Sequence, residues 1–415
     1  MSDPAPTQAR DDDRGGFFAR LRRLLSRGRN HREELERAPM RVSVSGIRGK
    51  SSTAKRLGEI LTARGYDTYV KITGDHPQSI HNGVVIPIQR SGPRVTLYEN
   101  IRLVKEYLPQ LAKEHPEDAV VMENQAITEY TMRMVNETFL DPEVLLFCNI
   151  RQDHNDTLGE TRQDIARSFA RSVPEGTHVI SGEQHTAIHE YMRTEIESRG
   201  GTIEQVAIPE EHRGLTGAET VHALNHVLAY FDEAPIPADE LETMLWAIQP
   251  RWTLFEDGRL FNAAKVNEIE STELFRRQLA GNGDDADLVC PFVFLRRDRR
   301  GRTASFVEYI NILADREVID RVHVGGAYTG VFARNVDVTA VKHDTDTESA
   351  AEVMDDLLAT GQPVMPMANT VHPFMRAFEA EIADRKIGVS DLAPADARRP
   401  ETDPPDATGT GSELS

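Results

Sequence analysis

The residues with the clearest chemical spacing lie early in the chain, at Gly46-Ile47-Arg48-Gly49-Lys50-Ser51-Ser52. A turn of this kind between a strand and a helix offers backbone amides and a helix N-terminus to an anion. Its lysine reaches outer phosphates, and the hydroxyl that follows can ligate Mg²⁺. The usual pattern is GxxxxGK[ST]. Here Val44 takes the place of the first glycine, which leaves a shorter GxxGKS form. Such a short pattern also arises by chance, and its bland reading is a glycine turn with a surface lysine. The strand–turn–helix context favours nucleotide binding.

Two further groups could hold a metal. Glu123 comes after the apolar run Ala119–Met122. A carboxylate at the carboxyl end of a parallel strand faces the ligand crevice, where it suits a hard ion such as Mg²⁺. The next apolar run, Val144–Cys148, leads into Asn149-Ile150-Arg151-Gln152-Asp153-His154-Asn155-Asp156. His154 can ligate a metal, with Asp153 or Asp156 orienting it or a water. Alone, each reads as a solvated or structural residue, and each gains weight beside the glycine turn. His76, His81, His178, His185 and His212 have no metal-like spacing with carboxylates and read as structural or surface. Cys148 reads as a buried, inert thiol. No GxSxG nucleophile pattern occurs.

These residues need elements to position them. Met40–Ser45 reads as a strand, Gly46–Gly49 as the turn, Lys50–Arg64 as a helix capped by Gly65, and Asp67–Ile72 as a second strand. That is one βαβ unit, hence a parallel sheet. Proline-bearing loops around a short helix mark a boundary near Pro235–Arg251. Beyond it, strands are expected at 287–294, 320–325, 337–341 and 363–368, with helices between them, as a second, smaller α/β domain. Residues 1–39 read as an extension. Arg14–Arg32 carries seven arginines and no acid, with Phe17, Phe18, Leu21, Leu24 and Leu25 on one helical face. Such a helix can lie on an anionic membrane or dock a partner; it can equally be a solvated extension. Residues 390–415 read as a disordered tail.

The chain has 415 residues and a formal charge of −19, which argues against wrapping nucleic acid. No run of about 18 apolar residues occurs, so no spanning helix is expected. The start lacks the order of a secretory signal, and two distant cysteines make no disulfide framework. The expected location is the cytoplasm, with peripheral contact at the inner face of the membrane through residues 14–32 left open. Only eight of the 48 basic residues are lysine. An acidic, lysine-poor chain suits high salt, and a GC-rich genome explains the arginine bias equally well.

GIRGKSS, the glutamate after a strand and NIRQDHND together resemble the Mur ligase superfamily of ATP-dependent amide ligases. Within it they resemble the ligase subunit of poly-γ-glutamate synthase (CapB/PgsB type). The resemblance runs on through Phe261–Thr272, Phe294–Thr303, His323–Gly330 and Met367–Pro373, in the family's order. It implies an α/β fold: a P-loop-containing central ATPase domain with a parallel sheet over 40–250, and a smaller C-terminal Rossmann-like domain over 251–389 that closes over the nucleotide. It further implies ATP and Mg²⁺ as cofactors. Residue by residue, Gly46, Ile47, Arg48, Gly49, Lys50, Ser51 and Ser52 match the phosphate loop. Ser51, Glu123 and His154 match metal ligands, with Lys50, Glu123 and His154 as the catalytic set. Asn267 and Glu268 match a pair near the ribose. Thr73 and Gly74 match a segment facing the site. Arg297, Asp298 and Arg299 match an Arg-Asp-Arg-like element, and Asn369 and His372 a pair in the last loop. One departure is clear: with no lysine between Lys113 and Lys265, the carbamylated lysine of many Mur ligases is absent.

The implied reaction is γ-glutamyl amide ligation through an acyl phosphate, releasing ADP and phosphate and building poly-γ-glutamate. The implied partners are glutamate or its polymer and membrane-bound synthase subunits; homo-oligomerisation stays open. Two alternatives keep their place. One is a folylpolyglutamate synthase-like or other Mur-type ligase with a different acceptor. The other is a nucleotide-gated subunit of a membrane-associated assembly. A small-molecule P-loop kinase is weaker, because it leaves the second domain unexplained.

Overall fold

The computed structural model describes residues 31–33, 35–73, 77–87, 111, 113–114, 116–124, 128–153, 155–266, 269–281, 287–297, 300–368 and 372–391. Most of the basic extension and of the tail therefore lies outside the described residues. The chain divides into two compact units. The first comprises residues up to Cys148, with Arg167–Ser181 and Glu190–Glu204; the second comprises Asn149–Ala166, Gly182–His189 and the chain from Gln205 onward. No described helix is long and apolar enough to cross a membrane.

In the first unit, β1 (Met40–Ser45) leads through the glycine turn into α1 (Lys50–Ala63). Then come β2 (Thr68–Ile72), β3 (Gln78–His81), β4 (Val84–Pro87), β5 (Ala119–Glu123) and α2 (Glu129–Met134). A π-helical turn over Val135–Leu140 precedes β6 (Val144–Phe147). With β7 (His178–Ser181) and β8 (Thr202–Gln205) they form one sheet in the order β4-β3-β2-β5-β1-β6-β7-β8. β1 pairs in parallel with β5 on one side and β6 on the other. The expected βαβ unit is present, with β5 inserted between its two strands. A central strand covered on both faces has no polar side to show; accordingly Val42, Ser43, Val44 and Ser45 are all fully buried.

Close packing of α1 on β2 depends on Gly58. A Cβ there would stand 2.3 Å from Val70 Cγ2. A buried amide network ties the middle of the sheet to the π-helical turn. Ser43 Oγ and Asn124 Nδ2 both donate to Asn136 Oδ1, at 2.8 and 2.9 Å, and Asn136 Nδ2 donates to the Ser172 carbonyl at 3.0 Å. Asn124 is thereby anchored directly after the last residue of β5.

In the second unit, α3 (Ala218–Tyr230) and α4 (Ala238–Ala247) precede a sheet. Its strands and helices are β9 (Thr253–Phe255), β10 (Gly258–Leu260), α5 (Ile269–Ala280), β11 (Cys290–Leu295), α6 (Arg300–Asp315), β12 (Arg321–Gly326), α7 (Thr329–Asn335), β13 (Thr339–Lys342), α8 (Ala350–Leu358), β14 (Val364–Ala368), α9 (Pro373–Arg385) and β15 (Gly388–Val389). The order is β13-β12-β11-β14-β10-β9-β15, parallel through its first five strands. All four expected strands form, each starting one to three residues later than the sequence reading places it. The core holds Phe292, Phe294, Phe374 and Phe378, with Phe294 and Phe374 stacked at 5.6 Å. Cys290 is buried here, and that burial pushes its thiol up to about 11.

Candidate active site

In the first unit the site grows from the carboxyl ends of β1, β5 and β2, where a parallel sheet gathers its ligand-facing residues. Gly46 and Gly49 take positive φ, 115° and 86°, which a side chain would disfavour. Gly49 is the N-cap of α1, no side chain caps it, and the first turn carries no acid. The helix N-terminus therefore keeps its free amides and its positive dipole end for an anion. Lys50 Nζ donates to the Gly46 and Ile47 carbonyls at 2.8 and 3.1 Å. Ser52 Oγ donates to the Gly49 carbonyl at 2.9 Å, a local task; Arg48 is half-buried and Ile47 buried.

Glu123 is the centre of this arrangement. β5 runs one residue further than the apolar run suggests, because its ladder with β1 extends to Val44 opposite Glu123. The carboxylate is 3% exposed. Ser51 Oγ donates to its Oε1 at 2.9 Å, and the Thr73 amide donates to its Oε2 at 2.7 Å. Thr73 Oγ1 is buried and has no hydrogen-bond partner among the described residues. A buried hydroxyl left unpaired beside a carboxylate and a second hydroxyl is a donor set awaiting a ligand. The spacing fits a hard divalent ion: neighbouring ligands of an octahedral ion at about 2.0–2.1 Å lie about 2.9 Å apart.

Lys71 belongs to no motif in the sequence. It lies fully buried on β2, and Nζ donates to the Glu123 carbonyl at 3.2 Å. Burial pulls its ammonium down to about 8, against the attraction of the Glu123 charge. Nothing in the strand TYVKI signals this, since a lysine in a short strand ordinarily faces solvent. Gly74 and His154 lie outside the described residues, and so do the side chains of Asn155 and Asp156.

The second unit shows two polar clusters. In one, Glu219 accepts from Asn149 Nδ2 at 3.2 Å and pairs with Arg151 at 3.4 Å. Burial raises its carboxyl above the usual range, with Arg151 and Asn149 opposing. Arg151 also donates to Ser271 at the start of α5. Nearby, Glu183 accepts from Arg162 at 2.9 and 3.1 Å and from the Ile150 and His185 amides at 3.0 and 2.7 Å. The polar run after β6 is thus largely held by acids distant in sequence, and no spacing marks Glu183 or Glu219 beforehand. Asp153 is buried.

The other is a cleft of about 610 Å³ at the carboxyl ends of β11, β12 and β13. Arg297 and His372, distant in sequence, both line it, together with Arg296, Lys342 and Asp344. His372 has a second task there, since Nδ1 caps α9 by accepting from the Phe374 amide at 3.3 Å. Asn267, Glu268, Asp298, Arg299 and Asn369 lie outside the described residues.

Residues 254–385 match the family described as poly-gamma-glutamate synthase CapB C-terminal domain. A relative named PGA synthase CapB, from Bacillus subtilis (strain 168), is 23% identical over 349 residues, covering 79% of this chain and 86% of its own. Among solved structures, the bifunctional folylpolyglutamate synthase/dihydrofolate synthase from Yersinia pestis complexed with AMPPNP and Mn ion superposes with a TM-score of 0.54 at 19% identity, covering 86% of this chain and 93% of that one. MurF from Acinetobacter baumannii gives 0.55 at 14% identity, covering 87% and 80%. At these identities the structural likeness speaks for the fold.

Proposed function

We propose that the chain is a CapB-type ligase of the Mur superfamily, an ATP-dependent amide ligase that extends poly-γ-glutamate through an acyl phosphate. The observation that carries this reading is the convergence of Ser51 Oγ and the Thr73 amide on the buried Glu123 carboxylate, beside the glycine turn and an uncapped helix N-terminus.

A carboxylate resists attack by an amine because its leaving group would be an oxide. Phosphorylation removes that obstacle. A substrate carboxylate oxygen attacks the γ-phosphorus of ATP, the bond to the bridging oxygen breaks, and ADP leaves. The ammonium of the next glutamate gives up one proton to solvent, the resulting amine attacks the acyl carbon, and a second proton leaves to solvent as phosphate is expelled. The protein's share is positioning and charge neutralisation. The Gly46–Gly49 amides and the α1 N-terminus would hold the phosphates. Lys50 Nζ would leave two neutral carbonyls for phosphate oxygens, an exchange that charge favours. Ser51, Glu123 and His154 would hold Mg²⁺, which supplies charge screening of the transferring phosphoryl group. In the second unit's cleft, Arg296, Arg297 and Lys342 offer cations to the acceptor's carboxylates, while Asp344 and Asp346 offer anions to its ammonium. The seven arginines of residues 14–32 would serve contact with the membrane or with membrane-bound subunits.

The folylpolyglutamate synthase fold match keeps a pteroyl acceptor as the second reading. The experiment is nucleotide turnover by the purified full chain in Mg²⁺ and high KCl, with L-glutamate, D-glutamate, a folate or no acceptor, scoring ADP, AMP and phosphate separately. Glutamate-stimulated ADP and phosphate are expected. AMP and pyrophosphate would overturn the acyl-phosphate route. ATP turnover that answers only to a folate would move the assignment to the second reading.

A further inference from the structure

We infer that the second unit carries an additional metal site, in which His343, Glu348 and Asp356 seat a divalent transition ion of the zinc type. The site shares no residue with the phosphate-loop centre, and it stands whether or not the ligase reading holds.

The three side chains bring one nitrogen and two carboxylate oxygens within 4.8 Å of one another. His343 directly follows β13, Glu348 precedes the start of α8, and Asp356 lies near the end of that helix. His343 Nδ1 and Glu348 Oε2 are 2.9 Å apart. Two ligands of a tetrahedral zinc at about 2.0–2.2 Å lie about 3.3–3.6 Å apart, so this edge of the coordination shell opens by only about half an ångström on binding. Asp356, whose ligand atom lies within 4.8 Å of the other two, then has at most about 1.5 Å to close.

The surroundings are those of a held ligand set. His343 is 4% exposed, and its Nε2 lies 2.8 Å from His323 Nδ1, with the two rings stacked at 5.1 Å. A metal-binding imidazole is ordinarily oriented in this way, through its other nitrogen. Here His343 Nε2–H would donate to His323 and leave Nδ1 for the ion. The Asp344 amide donates to Glu348 Oε1 at 2.8 Å and fixes that carboxylate with Oε2 toward the imidazole. Among the described residues neither Glu348 nor Asp356 pairs with a lysine or arginine, whereas the adjacent Asp355 takes Arg385 at 2.7 Å. Two carboxylates thus converge on one imidazole without a cation between them.

One imidazole with two carboxylates suits zinc, manganese or iron better than calcium, which prefers oxygen alone. His343 and Glu348 also line the cleft, so an open coordination position would face whatever the cleft binds.

The test uses the full chain stripped with chelator and then titrated with ZnCl₂ by calorimetry, in excess Mg²⁺ so that hard-oxygen seats are filled. Metal content is counted after desalting, and Co²⁺ is substituted as an optical probe. The wild type should hold one more zinc equivalent than Asp356→Asn and show visible cobalt bands that the variant lacks. Asp356 is exposed, so Asp356→Asn should fold normally. In chelator the two proteins should unfold at the same temperature, and zinc should raise only the wild-type midpoint. Glu348→Gln should weaken zinc binding at least tenfold. Equal stoichiometry and affinity in wild type, Asp356→Asn and Glu348→Gln would overturn the site.

Discussion

At the scale of single residues, the first-unit site depends on what one hydroxyl and one ammonium do beside the glycine turn. Lys50 makes bonds to loop carbonyls that water can replace. Lys50→Ala should therefore keep its circular dichroism spectrum and lose turnover by on the order of 10²–10³. Near-normal turnover would remove the phosphate-loop assignment. Ser51→Ala takes away the donor to Glu123 Oε1. It should raise the Mg²⁺ concentration needed for half-maximal activity by about tenfold or more, and Ser51→Thr, which keeps the hydroxyl, should restore it. A magnesium titration of the three proteins checks this.

At the scale of elements, two contacts can be tested without substrate. Gly58 lets α1 approach β2, and the added methyl of Gly58→Ala would meet Val70 Cγ2. Overpacking costs about 1–3 kcal/mol, while alanine returns up to about 1 kcal/mol of helix propensity. The variant should be about 1 kcal/mol less stable in urea unfolding. In the second unit, Glu273 on α5 accepts from Arg276 at 2.8 Å, Arg277 at 2.6 Å and Tyr309 at 2.8 Å. Burial alone would raise its carboxyl, but these donors prevail and hold it below the usual range. A depressed carboxylate stabilises the fold above its unfolded pKa, and that contribution is lost as pH falls through the folded value. Glu273→Gln leaves Arg276 buried without its counter-charge, so it should cost about 3 kcal/mol near neutral pH. Its further loss of stability in acid should be shallower than that of the wild type, which paired unfolding curves at neutral and acid pH would reveal.

At the scale of the whole molecule, each unit offers its own chemistry. If the second unit's cleft takes the acceptor, Arg297→Ala should raise the KM for glutamate by about 10–100-fold, the worth of one charged hydrogen bond. ATP binding, measured directly, should stay unchanged. An unaltered glutamate KM would remove Arg297 from acceptor recognition. The charge of −19 adds an expectation for the full chain: self-repulsion weakens as salt screens it, so the thermal midpoint should rise with KCl. A midpoint indifferent to molar KCl would count against a high-salt origin.

Local chemistry was legible in the residues themselves. A glycine turn between an apolar strand and an amphipathic helix follows from φ preferences, caps and periodicity, all set within about one helical turn of chain. The turn at Gly46–Gly49, α1 and the strands β1, β2, β5, β6 and β11 to β14 were readable for that reason, whereas β3, β4, β7 to β10 and β15, of two to four residues each, are too short to carry a pattern. Glu123 could be placed at a strand end, but not given its partners. Ser51 is 72 residues away and Thr73 is 50, and only the parallel register of β1, β5 and β2 brings their ends together. The burial of Lys71 has the same origin, since a strand does not record whether both faces of its sheet are covered. Arg297 and His372 share a cleft because β11 and β14 are hydrogen-bonded neighbours. His343, Glu348 and Asp356 meet because the segment between β13 and α8 folds back on its helix. Covalent neighbours write the elements, and strand pairing, which no short window of residues contains, decides which side chains face each other.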